Sequence, residues 1–137
     1  MKGIVLTSHG PMAQGMLETS KLFFGEQAQL TARCLYADMN PEDFDEDLKQ
    51  AMAEVDTGDG VIVICDMLFG SPCNCMTRIV AADMDNDKVQ VLAGLNLAMV
   101  LQALATRESG DPSVEDLVNA GKDGVADVKA IIKANLQ

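Results

Sequence analysis

The chain has no tryptophan, one tyrosine and four phenylalanines in 137 residues. A core built from it must be aliphatic and rich in methionine, and the aromatic walls expected of a flavin site are missing. Basic residues are also scarce: ten Lys and Arg face 21 Asp and Glu, a net charge of −11. Nucleic acid and anionic membrane surfaces repel such a chain, whereas partners presenting Arg or Lys attract it. No apolar run approaches the ~20 residues of a membrane span, and residues 1–6 are too short for a signal peptide. The four cysteines, Cys34, Cys65, Cys73 and Cys75, lack the spacing of a secreted disulfide framework. Three lie in apolar segments, which fits reduced thiols and a cytoplasmic protein. Cys73 and Cys75 are separated by one residue and not by the two to four usual in zinc sites, so buried thiols are expected, with no metal and no cofactor. Histidine occurs once, as His9.

About half of the residues are apolar, 48%, enough for one domain over residues 1–137 with its own core. Internal repeats, low-complexity segments and linkers are absent from the pattern.

The periodicity predicts four strand–helix units. Residues 3–8 form a short apolar strand, and His9-Gly10-Pro11 leads into a helix over 11–24 whose apolar positions recur at helical spacing. Residues 29–37 alternate as a second strand. Asn40-Pro41-Glu42-Asp43 is a capped and dipole-matched helix start, and Phe44, Leu48, Met52 and Val55 follow as one stripe. Residues 60–65 are apolar on both faces, as a central parallel strand must be. The strand ends at Asp66, and a loop through Gly70 precedes Ser71-Pro72, which starts a helix to about Ala82. Residues 88–93 form the fourth strand. Asn96 caps a helix to about Arg107, and Asp111-Pro112-Ser113 starts another to about Asn119. The tail fits either a strand, through alternation at Val128, Ala130 and Ile132, or a helix, through Val125, Val128 and Ile132.

Short connections between such units imply a parallel sheet with helices on both faces. In an open sheet of order 2-1-3-4 the strand order reverses between strands 1 and 3, and chemistry sits beyond their C-terminal ends. Those strands end at His9 and Asp66. A neutral imidazole is a good phosphoryl acceptor near neutral pH. A carboxylate bound to one ring nitrogen fixes the tautomer and leaves the other nitrogen to attack. The helices starting at Pro11 and Pro72 would direct N–H groups at phosphate oxygens, and the hydroxyls of Thr7, Ser8 and Ser71 could add hydrogen bonds.

With these residues in place, the chain resembles the IIA components of the mannose-type sugar phosphotransferase system over nearly its whole length. The resemblance is carried by Ser8-His9-Gly10, Leu22-Phe23-Phe24-Gly25-Glu26-Gln27, Asp66 followed by Gly70-Ser71-Pro72 and Asn74, Val91-Leu92-Ala93-Gly94-Leu95-Asn96 and Asp111-Pro112-Ser113. It implies a flavodoxin-like sheet and a homodimer in which a C-terminal strand crosses to the partner; residues 127–133 are the candidate strand. It implies that His9 accepts a phosphoryl group from the phosphocarrier HPr and passes it to a IIB component serving a membrane sugar permease. Asp66 would orient the imidazole, and Ser71, Gly70 and Gly10 would hold the phosphate. The family loop runs from aspartate through two residues to Gly-Gly-Ser-Pro. Here Phe69 replaces the first glycine, so an altered loop is expected, because glycine reaches backbone angles that phenylalanine avoids.

Other readings fit less well. A receiver domain phosphorylated on Asp66 needs an acidic pair after strand 1, where this chain has Thr7-Ser8-His9. A low-molecular-weight phosphatase needs five residues between its cysteine and arginine, and Cys73 and Arg78 are one short of that. The phosphotransfer subunit of dihydroxyacetone kinase, which shares the fold and the histidine, is the nearest alternative, and the Gly70-Ser71-Pro72 loop favours the sugar-transport branch. A Ser71-based hydrolase would need no phosphocarrier.

Overall fold

A computed structural model describes residues 1–110 and 112–136. Four strands, β1 (Gly3–His9), β2 (Leu30–Leu35), β3 (Val61–Cys65) and β4 (Val89–Ala93), form one parallel sheet of order β2-β1-β3-β4. The helices are α1 (Met12–Phe24), α2 (Pro41–Val55), α3 (Ser71–Ala81), α4 (Leu97–Thr106), α5 (Val114–Asp123) and α6 (Val128–Asn135). The open α/β architecture and the strand order are those expected from the sequence.

Alternation along the two central strands divides the interior into two cores. Ile4 and Leu6 of β1 and Ile62 and Ile64 of β3 face one layer, with Ala13, Met99, Val100, Leu104 and Leu117 from α1, α4 and α5. Val5, Val61, Val63 and Cys65 face the other, with Phe44, Leu48, Ala51 and Met76 from α2 and α3. Both faces of β1 and β3 are covered, which is why these strands are continuously apolar. Burying Phe44 or Leu48 stabilises the fold by about 1.5–3 kcal/mol each.

The helix starts are set by local chemistry. The Asn40 side chain accepts from the Glu42 amide at 2.8 Å, and Asn96 caps α4 by accepting from Met99 at 3.0 Å. Ser113 caps α5 by accepting from the Asp116 amide at 3.3 Å. Asp111, expected at the same helix start, lies outside the described residues.

Three details differ from the sequence reading. Helix α1 begins at Met12, with Pro11 at its cap; the hydroxyl of Ser8 supplies the capping oxygen, accepting from the Ala13 amide at 2.7 Å. Helix α5 continues past Asn119 to Asp123, because Gly121 lets it approach Asn96 and Met99 of α4. The C-terminal segment is the helix α6, so residues 127–133 are not a swapped strand in this structure. Asp127 caps it by accepting from the Ala130 amide at 3.1 Å, a local helix-start signal. None of its residues is buried.

Arg107 is an unanticipated structural element. It is fully buried, and its guanidinium donates to the carbonyls of Ala28 at 2.6 Å, Gln29 at 2.9 Å and Lys2 at 3.3 Å. It ties α4 to the N-terminal ends of β1 and β2, and burial lowers its pKa from the ordinary arginine value. Among the described residues no helix is long and apolar enough to cross a membrane.

Candidate functional site

Strands β1 and β3 are neighbours in register, with Thr7 beside Cys65. β2 lies on the outer side of β1 and β4 on the outer side of β3, so the switch point falls between the two central strands. His9 ends β1, and Asp66 follows β3 by one residue, its amide bonded to the Thr7 carbonyl at 3.1 Å. The fold therefore brings together two residues 57 positions apart.

One oxygen of Asp66, Oδ2, meets both the Nδ1 of His9 at 2.8 Å and the His9 amide at 3.0 Å. The other, Oδ1, accepts from the Met67 amide at 2.9 Å. Burial pushes the Asp66 carboxyl up, but the hydrogen bonds from the His9 ring and amide and from the Met67 amide outweigh it. The net effect holds Asp66 below its ordinary value, as an ionised acceptor. The imidazole is 44% exposed, and among the described residues its Nε2 has no hydrogen-bond partner. Asp66 accepts through a carboxylate, so Nδ1 carries a proton, and in the neutral imidazole tautomer the lone pair lies on Nε2.

Gly70 packs against the ring. A Cβ there would stand 2.7 Å from His9 Cε1 and 3.2 Å from the Met67 carbonyl, so only glycine lets the loop lie beside the imidazole. Its amide donates to the Met67 carbonyl at 3.0 Å. Gly10 lies at φ +56, in the left-handed region, and its amide donates to Leu35 at 2.7 Å. The amides of both glycines, two of the residues expected to hold the phosphate, are engaged within the protein.

The open donors lie on α3. A helix leaves its first amides unpaired. Asn74 already donates to Gly70 at 2.8 Å and Pro72 has no N–H, leaving the amides of Ser71 and Cys73 together with the Ser71 hydroxyl. Ser71 shares with His9 a cleft of about 600 Å³ whose lining also includes Tyr36, Met39, Asn74 and Arg78. Ser71, Asn74, Cys75 and Arg78 are spaced as one face of a helix; this signal was present in the sequence and not read. Thr7 and Ser8 do not reach the cleft. Both are fully buried, and Ser8 is committed to capping α1.

Cys65 and Cys75, the latter on the cleft wall, are not ionised nucleophiles. Burial pushes Cys65 up to about 12 and Cys75 up to about 11, so both are neutral. Arg78 is held by Asp45 at 2.9 Å and 3.1 Å on the cleft wall.

An open parallel sheet with a histidine–aspartate pair at its switch point defines an α/β protein whose chemistry is presented by one strand-end imidazole. Residues 3–121 match the family model of the PTS system fructose IIA component. Over 131 residues the chain is 34% identical to the mannose-specific EIIAB component of Escherichia coli (strain K12), covering 93% of this chain and 39% of that protein. The chain thus spans well under half of that relative. It is 26% identical over 119 residues to the fructose-specific EIIA component of Bacillus subtilis (strain 168), covering 87% of this chain and 78% of that one. Among solved structures, EIIA from Streptococcus agalactiae superposes with a TM-score of 0.81 at 27% identity, covering 95% of this chain and 99% of that one. The mannose/sorbose-specific IIA subunit from Enterococcus faecalis gives 0.77 at 26% identity, covering 93% and 95%. The chain belongs to the mannose family of phosphotransferase-system IIA components.

Proposed function

We propose that the protein carries a phosphoryl group on Nε2 of His9, accepting it from HPr and giving it to a IIB component that serves a membrane sugar permease. The supporting observation is the Asp66–His9 contact at 2.8 Å, which engages Nδ1 and leaves Nε2 facing a cleft. In the transfer, the Nε2 lone pair forms the new P–N bond as the P–N bond to the donor imidazole breaks, its electron pair returning to the donor ring. Positive charge develops on the His9 ring, and ionised Asp66 stabilises it through Nδ1–H. Ser71 and the first-turn amides of α3 meet the phosphoryl oxygens, while Gly70 and Gly10 make room for them.

Incubation with phosphoenolpyruvate, enzyme I and HPr tests this. The expected result is an acid-labile mass gain of one phosphoryl group, lost in His9→Ala. No gain with active carriers, or a gain that survives the substitution, refutes it.

The same reading makes the protein a cytoplasmic homodimer. The free thiols agree with a reducing compartment. The dimer is supported by the unburied apolar residues of α6, including Val128, Ile131 and Ile132, and by an apolar groove beside the edge strand β4 lined by Met52, Ile79, Val80 and Val91. Light scattering on the full chain should give twice the chain mass, and Ile131→Asp with Ile132→Asp should give the monomer mass.

A further inference from the structure

Loop residues Met67, Leu68 and Phe69 are 57%, 60% and 78% exposed, three consecutive large apolar side chains beside the nucleophile. Between Asp66 and Arg78 the chain carries no charged residue, in a protein of net charge −11. Phe69 also has φ +65. A bulky residue in that region costs on the order of 1–3 kcal/mol and persists only where its surroundings impose it.

The constraint is visible in the backbone. Gly70 donates to the Met67 carbonyl at 3.0 Å, the Asn74 side chain donates to the Phe69 carbonyl at 3.2 Å, and Asp66 holds the Met67 amide. Among the described residues one other non-glycine residue has a positive φ, Gln29, and its side chain compensates by donating to Met1, Val55 and Thr57. The Phe69 ring has no such internal role. The strained backbone supports a side chain that the fold leaves in water, and the same carboxylate that binds His9 anchors the loop.

From this we infer that residues 67–69 are the docking ridge for the protein that exchanges the phosphoryl group with His9, and that Phe69 is its anchor. The inference rests on the phosphocarrier reading above. Three adjacent exposed apolar side chains suit a folded partner with an apolar patch around its own phosphorylated side chain. Lys and Arg at the rim of that patch would complement the acidic remainder of this chain. Aromatic anchors of this kind carry a disproportionate share of binding energy.

Phe69→Gly removes the ring and relieves the backbone, so the variant folds. With phosphorylated HPr as the varied donor, the full chain should show KM raised at least tenfold with kcat within threefold of the wild type. Its Tm should be equal or higher. Phe69→Leu, which keeps an apolar side chain, should restore KM to within about threefold. A purely structural role for Phe69 predicts instead a fall in kcat or Tm at constant KM. An unchanged KM for Phe69→Gly, or a loss confined to kcat, overturns the ridge and leaves the phosphocarrier reading intact. A wild-type chain that takes no label on His9 overturns both.

Discussion

Asp66 joins the imidazole to the loop. One carboxylate oxygen holds the His9 ring and amide and the other holds the first loop amide, so ring orientation and loop shape are fixed together. Two predictions belong at this scale. Gly70→Ala would place a methyl group 2.7 Å from His9 Cε1, forcing the ring or the loop aside. A displacement of about 1 Å at a reacting group costs on the order of 10²-fold in rate. Stopped-flow phosphorylation should therefore slow by about that factor while circular dichroism stays unchanged. The second concerns acid. The folded pKa of Asp66 lies below its unfolded value of about 3.9, so its contribution to stability is complete above that value and is lost as pH falls through the lowered folded one. Urea midpoints measured from pH 6 downwards should fall more steeply for the wild type than for Asp66→Asn below about pH 4; parallel curves would remove this linkage. His9 and Asp66 were legible as residues because each closes an apolar run. Where the amides of Gly10 and Gly70 are directed was not legible, since sequence shows that a glycine is present and not where its N–H points. Phe69 takes a left-handed backbone at φ +65, a region that favours glycine and that its residue type did not signal.

Among the elements, α1 depends most on one side chain. Ser8 accepts from Ala13 at 2.7 Å and donates to Gly10 at 3.1 Å, with its hydroxyl buried at the start of the helix. Ser8→Ala leaves a buried amide unpaired and should cost about 1–3 kcal/mol, read as a shift of the denaturation midpoint with unchanged slope. A cost under about 0.5 kcal/mol would mean that water replaces the hydroxyl. The helix starts at Asn40, Asn96 and Ser113 were readable because a capping side chain adjoins an apolar stripe. The start of α1 was placed one residue early because its capping oxygen comes from the preceding strand. The tail satisfied two periodicities, and its helical alternative is the one the structure adopts, with Asp127 as its cap.

At the scale of the molecule, the site is a consequence of topology. Parallel β1 and β3 carry their C-terminal ends to one edge, and the reversal of strand order between them opens the space into which His9 and Asp66 project. The order 2-1-3-4 was inferable from four short strand–helix units. The cleft was not, because it takes residues from β2, the start of α2 and α3, and no local pattern relates Tyr36 to Arg78. The net charge of −11 acts at this scale too. If a basic partner docks, kcat/KM for protein-borne phosphate should fall severalfold between 50 and 500 mM salt as the attraction is screened; salt-independent transfer would leave the apolar ridge as the sole recognition element. The central claim is that Asp66 engages Nδ1 so that Nε2 carries the phosphate. Nitrogen-15 and phosphorus-31 NMR of the phosphorylated chain reads this directly: the phosphorus should couple to Nε2 of His9, with Nδ1 still protonated toward Asp66, and phosphate found on Nδ1 would contradict the account.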